Sequence, residues 1–288
     1  MTVALLFSPQ GSQSVGMGRA LAAASSAAAA VFREADQALG WSVSSLAWNG
    51  PEEELNDTRQ TQPCLVATSI ACLRALQEEL DGRGERLSPA LVAGHSVGEY
   101  AALVAAGALS VADAVRLVAR RGELMAGSRV GGGMVAVLGL DRQVVASVVA
   151  RLGLGADLVV ANDNAPGQVV ISGTPDALAA AAEPLRSAGA RRSIPLNVSG
   201  PFHSPHMAGI GSELARALAA ADWHAAEPPV VSNVTAEPVR DSGEMRDLLA
   251  RQVDSPMEWV RSVRRMAAEG VDTEIGRASC RERVLPTV

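Results

Sequence analysis

The sequence predicts an α/β fold in which a larger α/β-hydrolase-like domain with a parallel sheet carries an inserted ferredoxin-like subdomain. Three observations predict it. Short apolar runs alternate with Ala-rich segments, the pattern of buried strands covered by helices. The pentapeptide Gly94-His95-Ser96-Val97-Gly98 lies between an expected strand and an expected helix. Residues 131–199 follow the order β-α-β-β-α-β.

The first part of the chain predicts strands and helices of the larger domain. A buried strand at Val3–Phe7 ends in a turn rich in Pro, Gly and Ser. At 50–55, a proline followed by three glutamates predicts a helix start, because Pro suits the first turn and acids favour the positive end of the helix dipole. The other elements expected here are helices around 17–39, a helix opened by Thr61-Gln62-Pro63 and running to about Leu80, a strand at 91–93, and helices at 99–106 and 111–125.

The β-α-β-β-α-β segment predicts where the chain divides. Gly131-Gly132-Gly133 and Ser199-Gly200-Pro201 flank it as plausible hinges. We therefore expect a small subdomain at 131–199, inserted between the two parts of a discontinuous large domain, 1–130 and 200–288. The expected strands of this segment are 134–138, 158–161, 168–172 and 191–198, and its helices are 142–152 and 175–188; beyond it we expect a helix near 209–220, a strand at 230–233 and helices at 244–253 and about 256–269.

The charged residues and cysteines exclude several kinds of chemistry. All 25 basic residues are Arg, so a phosphate-binding Gly-Lys-Ser/Thr loop, a Schiff base and a Ser-Lys dyad are ruled out. A net charge of −6 gives no basic surface for nucleic acid. The three cysteines form no Cys-x-x-Cys pair or Cys/His cluster, so no metal site is expected.

The chain also predicts a cytoplasmic protein that does not enter a membrane. Scattered thiols suit a reducing compartment. The N-terminus lacks the basic and apolar regions of a signal peptide. The longest apolar run, 101–109, is far shorter than a membrane span.

Ser96 is the candidate nucleophile, because Gly94–Gly98 fits the pattern Gly-x-Ser-x-Gly at a strand-to-helix turn. Such a sharp turn exposes the serine oxygen at the positive end of the helix. The two glycines allow neighbouring backbone to come close. The pattern predicts a covalent serine ester as the reaction intermediate.

A serine nucleophile needs a base, and the chain has four histidines. His95 is next to Ser96 and is expected to point elsewhere, and His224 is expected at the surface. His203 lies in a rigid Gly-Pro-Phe-His-Ser-Pro loop at the domain junction, where a scaffold would hold a base. On the sequence alone, His206 remains the alternative to His203.

Six motifs in order carry a resemblance to a known family. They are Gln10-Gly11-Ser12-Gln13, Thr61-Gln62-Pro63, Gly94-His95-Ser96-Val97-Gly98-Glu99-Tyr100, Arg121-Gly122-Glu123-Leu124-Met125, Asn162-Asp163-Asn164-Ala165-Pro166-Gly167-Gln168 and Gly200-Pro201-Phe202-His203-Ser204. With these, the chain resembles the malonyl-CoA:acyl-carrier-protein transacylases, acyltransferases of fatty-acid and polyketide biosynthesis. The resemblance covers about residues 1–275.

The resemblance implies a role for each motif. Ser96 would be the nucleophile and His203 the base, oriented by a main-chain carbonyl near Gln252 in place of a carboxylate. The backbone N–H groups of Gln10 and Val97 would form the oxyanion hole. Arg121 would bind the free carboxylate of the malonyl group, as its planar fork suits. The remaining substrate-binding residues implied are Gln62, Phe202, Asn164 and Gln252.

The resemblance also implies the substrates and partners. The donor would be malonyl-CoA and the acceptor the phosphopantetheine thiol of an acyl carrier protein, with no bound cofactor and with the protein a monomer. Phe202 beside the base favours malonyl over methylmalonyl. Because carrier proteins are typically acidic, docking would need a local basic patch. The candidates for it are Arg120, Arg191, Arg192, Arg261, Arg264 and Arg265.

Two segments depart from the family pattern. Pro9 stands where the family usually has Gly, which fixes φ and removes an N–H just before Gln10. Residues 277–288 resemble translated vector sequence, so we expect the native C-terminus to be missing. Two alternatives stay open: a serine thioesterase or hydrolase, and a non-catalytic homologue that docks carrier proteins.

Overall fold

The structure is a computed structural model that describes residues 1–128 and 131–276. Its main sheet has five strands and is mostly parallel. The strands are β1 Val3–Phe7, β2 Leu91–Gly94, β7 Val230–Val231, β8 Pro238–Val239 and β9 Thr273–Gly276. Their order is β8-β7-β2-β1-β9, and only the β7–β8 pair is antiparallel. Phe7 pairs with Gly94 at the carboxyl ends of the two central strands.

Both faces of the central strands β1 and β2 are buried, which is why these strands are apolar at every position. Leu5, Phe7 and Val92 point into the larger core, together with the helices on that side. Ala4, Leu6, Leu91, Ala93 and Val231 pack on the opposite face against Trp259 and Met266. Ligand sites in such sheets lie beyond the carboxyl ends of the strands, here just after Phe7 and Gly94.

In the described residues, seven α-helices precede the first strand of the second sheet, two connect strands of that sheet, and three follow it. They are α1 Arg19–Ala24, α2 Ser26–Leu39, α3 Val43–Asn49, α4 Glu52–Asn56, α5 Thr58–Gly82, α6 Gly98–Ala105, α7 Val111–Ala126, α8 Arg142–Leu152, α9 Pro175–Ser187, α10 Ala208–Ala220, α11 Ser242–Arg251 and α12 Trp259–Ala268. The long α5 packs against α2 and α7 and carries Gln62, which contacts Arg121.

A second, four-stranded antiparallel sheet lies between the two halves of the main sheet in sequence. Its strands are β3 Gly133–Leu138, β4 Leu158–Ala165, β5 Gln168–Gly173 and β6 Arg192–Pro195, in the order β4-β5-β3-β6. Its helices α8 and α9 close a separate small core around Val137, Val169 and Ile171. The edge strand β4 contacts the part of the chain that forms the main sheet, where Asn162 forms an isolated bridge with Met257.

The structure places most predicted elements within a few residues and differs at the start of α5. The Asp57 side chain accepts from the Arg59 N–H and caps this helix, which therefore begins at Thr58 and not at 61–63. Pro63 thus lies inside the helix. The expected helical stretch 17–39 is two helices, separated where Ser25 caps α2. The sequence reasoning did not predict α3, β8 or β9.

No helix in 1–128 or 131–276 is long and apolar enough to cross a membrane. The segment 277–288, expected to be foreign, lies outside the described residues.

Candidate active site

The turn that carries Ser96 joins β2 to α6. Ser96 has φ 52°, a left-handed conformation that costs a non-glycine residue energy and is found at functional sites. A Cβ on Gly94 would lie 2.0 Å from the Gly98 carbonyl carbon, and one on Gly98 would lie 2.4 Å from the Phe7 oxygen. Glycine at both positions is therefore what allows β1, β2 and α6 to meet at this turn.

Asn233, which follows β7, holds the turn from behind. Its Oδ1 accepts from the Ser96 N–H at 2.6 Å, and its Nδ2 donates to the Gly94 carbonyl at 2.7 Å. The side chain is 1% exposed. A single buried amide thus satisfies two backbone groups that the sharp turn leaves without partners.

His203 lies beside Ser96, with its Nε2 3.0 Å from the serine Oγ. Its Nδ1 is 2.9 Å from the Gln252 carbonyl. Because a carbonyl only accepts, Nδ1 carries the proton and the Nε2 lone pair faces the serine hydroxyl. Burial, and then the charge of Arg121, lower the pKa of His203 to about 3, so the ring is a neutral base at pH 7.

The alternative base, His206, lies outside this arrangement. Its Nε2 is 3.2 Å from the carboxylate of Asp157, the residue just before β4 of the second sheet. His95 was expected to point away, and here the structure differs. Its ring lines the same cavity as Ser96, with Nε2 2.7 Å from the Asn164 Oδ1. The short Gly-His-Ser-Val-Gly turn is tight enough to bring both neighbours to one side.

Arg121 reaches the nucleophile from α7 and is 1% exposed. Its Nη1 donates to the Gln62 Oε1 at 2.9 Å, and its Nη2 donates to the Gln252 Oε1 at 3.0 Å and to the Ser96 Oγ at 3.1 Å. Among the described residues, its Nε has no acceptor. All its partners are neutral, so the guanidinium carries a charge that no carboxylate in 1–128 or 131–276 contacts directly.

These groups line a cavity of about 310 Å³. Of the residues expected to bind substrate, Arg121, Phe202 and Asn164 lie on its wall. Gln62 and Gln252 are fully buried and lie behind Arg121 instead. Their hydrogen bonds indicate that they hold Arg121.

The proposed oxyanion donors lie at the two sides of the nucleophile. Gln10 follows β1 and lines the cavity, and its Nε2 donates to the Thr58 Oγ1 at 3.1 Å. Val97 directly precedes α6, at the positive end of the helix dipole, and the N–H groups of Gly98 and Glu99 that follow it donate to the His95 and Ser96 carbonyls. Pro9 also lines the cavity, and its carbonyl accepts from the Ser12 hydroxyl at 2.8 Å.

Sequence reasoning quoted Glu99 within a motif and gave it no role. Its carboxylate is buried, and Oε2 accepts from the Gln252 Nε2 at 2.5 Å. Oε1 accepts from the Asn233 N–H at 3.4 Å. Burial raises the pKa of Glu99 to about 7, against the opposing effect of these hydrogen bonds. A glutamate in the otherwise apolar start of α6 was the available signal.

The six arginines of the expected basic patch are not equivalent. Three form ion pairs: Arg120 with Glu123 and Glu213, Arg261 with Glu258, and Arg265 with Glu237 and Glu269. Arg191, Arg192 and Arg264 are exposed and have no ion-pair partner within the described part of the chain. Of the six, these three therefore carry charge that no carboxylate of the described residues pairs with.

No group of three or more His, Cys, Asp or Glu side chains in residues 1–128 and 131–276 is arranged to hold a metal ion. The chemistry that the side chains at the cavity can perform is nucleophilic. A serine, a neutral histidine and a buried arginine meet within hydrogen-bond distance at the carboxyl ends of two parallel strands.

An α/β fold with a serine nucleophile, a neutral histidine and a buried arginine at one cavity is typical of an acyltransferase. Comparison with known proteins agrees with this class. The chain belongs to the acyl transferase domain family, whose model matches residues 4–275. Within that family, it is 43% identical over 282 residues to the malonyl CoA-acyl carrier protein transacylase of Bacillus subtilis, covering 95% of this chain and 86% of that protein. The resemblance seen in the sequence motifs is thus confirmed.

Solved structures agree with the sequence relatives. The acyl-carrier-protein S-malonyltransferase of Burkholderia pseudomallei superposes with a TM-score of 0.90 at 41% identity, covering 96% of this chain and 89% of that one. A malonyl-transacylase solved in complex with a type II polyketide-synthase acyl carrier protein superposes with a TM-score of 0.88 at 36% identity, covering 95% and 88%.

Proposed function

We propose that this chain transfers a malonyl group from malonyl-CoA to the phosphopantetheine thiol of an acyl carrier protein, through an ester on Ser96. The observation that carries the proposal is the position of Arg121, whose Nη2 lies 3.1 Å from the Ser96 Oγ. A hydrolase of neutral esters has no use for a buried cation at its nucleophile. A dicarboxylic acyl group does, because its free carboxylate needs a partner there.

In the first half-reaction, the His203 Nε2 takes the proton from the Ser96 hydroxyl as the oxygen attacks the thioester carbon. The negative charge on the carbonyl oxygen is stabilised by the N–H groups of Gln10 and Val97, which remain the proposed oxyanion hole. The carbon–sulfur bond breaks, and the imidazolium returns its proton to the CoA thiolate. A malonyl-serine ester and free CoA result.

The second half-reaction repeats these steps with a different thiol. His203 takes the proton of the carrier's phosphopantetheine thiol, and the thiolate attacks the ester carbonyl. The carbon–oxygen bond to Ser96 breaks, and the serine oxygen receives the proton. Because acyl transfer between a thiol and a hydroxyl involves no redox step, the proposed reaction needs no cofactor.

Arg121 selects and positions the acyl group in this scheme. Gln62 and Gln252 fix the guanidinium through hydrogen bonds of 2.9 and 3.0 Å, so its direction is set before substrate arrives. Its Nε–H, a buried donor without an acceptor among the described residues, is available to a carboxylate. Phe202 and Asn164 complete the wall against which the acyl group lies.

We also propose how the chain divides into a large domain and a small subdomain. We assign residues 131–199 to a ferredoxin-like subdomain inserted into an α/β-hydrolase-like domain formed by 1–130 and 200–288. The strand order β4-β5-β3-β6 with two helices supports the first part. The parallel core and the serine turn support the second. We place the enzyme in the cytoplasm, where malonyl-CoA and the carrier protein would both be available to it.

Intact-mass analysis tests the function and separates it from the two alternatives. The enzyme is mixed with malonyl-CoA alone and then with a carrier protein. We expect one malonyl group on the chain, its persistence in buffer, and its loss to the carrier thiol. Release to water at the same rate with and without carrier would identify a hydrolase, and a chain that never gains mass would identify a docking protein.

A further inference from the structure

Gln252 connects three parts of the site. Its main-chain carbonyl orients His203 at 2.9 Å, while its side-chain oxygen accepts from Arg121 at 3.0 Å. Its side-chain nitrogen donates to the Ser96 carbonyl at 3.0 Å and to the Glu99 Oε2 at 2.5 Å. The conformation of this one residue therefore bears on the base, the nucleophile and the arginine together.

A primary amide has two orientations that differ by exchange of oxygen and nitrogen. In the orientation present here, both Nε2 hydrogens meet acceptors and Oε1 meets a donor. In the flipped orientation, the NH₂ group would face the Arg121 guanidinium, and Oε1 would face the Glu99 carboxylate. Each contact would then join two groups of the same polarity in a buried site, where such contacts are most costly.

We propose that Glu99 is a positioning residue that fixes the Gln252 amide, and through it holds Arg121 in the direction that recognises the malonyl carboxylate. Glu99 also accepts from the Asn233 N–H at 3.4 Å, so it ties the support of the serine turn to the support of the arginine. It contacts neither substrate nor the reacting atoms. The inference rests on the proposed function and adds the residue that sets its selectivity.

The charge of Glu99 is not what this role requires. Gln252 needs an acceptor at the right distance, and an amide oxygen or a carboxylic acid carbonyl supplies one as a carboxylate does. The length of the side chain is what matters, because Oε2 must reach Nε2. Two conservative variants separate reach from charge. Glu99→Gln loses the charge and keeps an acceptor within reach of Gln252, with its NH₂ group on the side of the longer, 3.4 Å contact to the Asn233 N–H, so any cost falls on both donors alike and not on their ratio. Glu99→Asp keeps the charge and loses the reach.

The readout is the ratio of the rate constants for acylation of Ser96 by malonyl-CoA and by acetyl-CoA, followed by intact mass. Both rates are measured on one preparation, so the ratio does not depend on the folded fraction. We expect Glu99→Gln to stay within about twofold of wild type and Glu99→Asp to lower the ratio about tenfold, the usual effect of one hydrogen bond to a charged group. Glu274→Gln and Glu274→Asp are the matched controls, since Glu274 is a partly buried glutamate on β9.

A second variant asks whether Glu99 acts through Gln252. Gln252→Met keeps the main-chain carbonyl for His203 and deletes the amide. We expect it to lower the malonyl-to-acetyl ratio as Glu99→Asp does, and we expect Glu99→Asp to have no further effect in the double variant. If the single aspartate variant unfolds, Glu99→Met takes its place in both comparisons, because it also removes the acceptor from Gln252 and keeps a similar volume.

Three results would overturn the inference: an unchanged ratio in Glu99→Asp, a loss in Glu99→Gln as large as in Glu99→Asp, or additive effects in the double variant. Failure of the proposed function is a different result. In that case the wild-type chain itself gains no malonyl group on Ser96, whatever residue 99 is.

Discussion

Replacing Arg121 by Met tests the selectivity of the site most sharply. Methionine fills similar space with an apolar side chain, and it removes the guanidinium that lies 3.1 Å from the Ser96 Oγ. A carboxylate bound by two guanidinium N–H groups would lose two charge-assisted hydrogen bonds, each worth about 1.5–3 kcal/mol. The sum, about 3–6 kcal/mol, corresponds to a loss of about 10²–10⁴ in the rate constant for malonyl-CoA.

Acetyl-CoA provides the internal comparison, because an acetyl group has no carboxylate for Arg121 to bind. We expect its rate constant to change far less, so the ratio of the two should fall by nearly the full factor. The assay is the time course of Ser96 acylation by intact mass. The matched control is Arg116→Ala, an exposed arginine on the same helix α7 that pairs with Asp113. A malonyl-to-acetyl ratio within threefold of wild type in Arg121→Met would refute the reasoning.

Three further outcomes follow from the contacts at the site. Asn233→Ala leaves the Ser96 N–H and the Gly94 carbonyl without partners, so we expect about 1–3 kcal/mol of lost stability in chemical denaturation, with slower acylation by both donors; a variant as stable and active as wild type would contradict this. Because the pKa of His203 is lowered to about 3, the base stays neutral as pH falls, and acylation should show no loss near pH 6.5 from this group. Glu99, with a pKa of about 7, titrates in that range, so the profile is measured in Glu99→Gln as well, and a limb at 6.5 that survives there would count against a neutral His203. Reversing the charge of Arg191, Arg192 and Arg264 together should slow transfer to the carrier protein, more so at low salt, and leave acylation by malonyl-CoA unchanged; unchanged transfer would remove them from the docking surface.

The predictable parts of this molecule are those that depend on neighbours in sequence. The strand, the Gly-x-Ser-x-Gly turn and the helix after it are encoded within residues 91–105, and the structure has them nearly where expected. The capped helix at Thr58 was misplaced because Asp57 was not recognised as its cap. Short strands such as β8, which has two residues, leave too weak a pattern to predict.

The supporting contacts of the site depend on the fold and were therefore harder to see. Asn233 is 137 residues from Ser96, and only the parallel pairing of β2 with β7 brings them together. Glu99 and Gln252 are 153 residues apart. The sequence could indicate that Gln252 matters. It could not indicate that its main-chain carbonyl contacts His203 while its side-chain oxygen contacts Arg121.

The central claim is that Ser96 carries a malonyl group between two thiols. The direct test is the intact mass of the wild-type chain and of Ser96→Ala after exposure to malonyl-CoA, followed by addition of a carrier protein with its phosphopantetheine arm. The account predicts one malonyl group on the wild type, located at Ser96 by peptide mapping, none on Ser96→Ala, and its appearance on the carrier as it leaves the enzyme. Equal labelling of Ser96→Ala, or a wild-type chain that remains unlabelled, would contradict it.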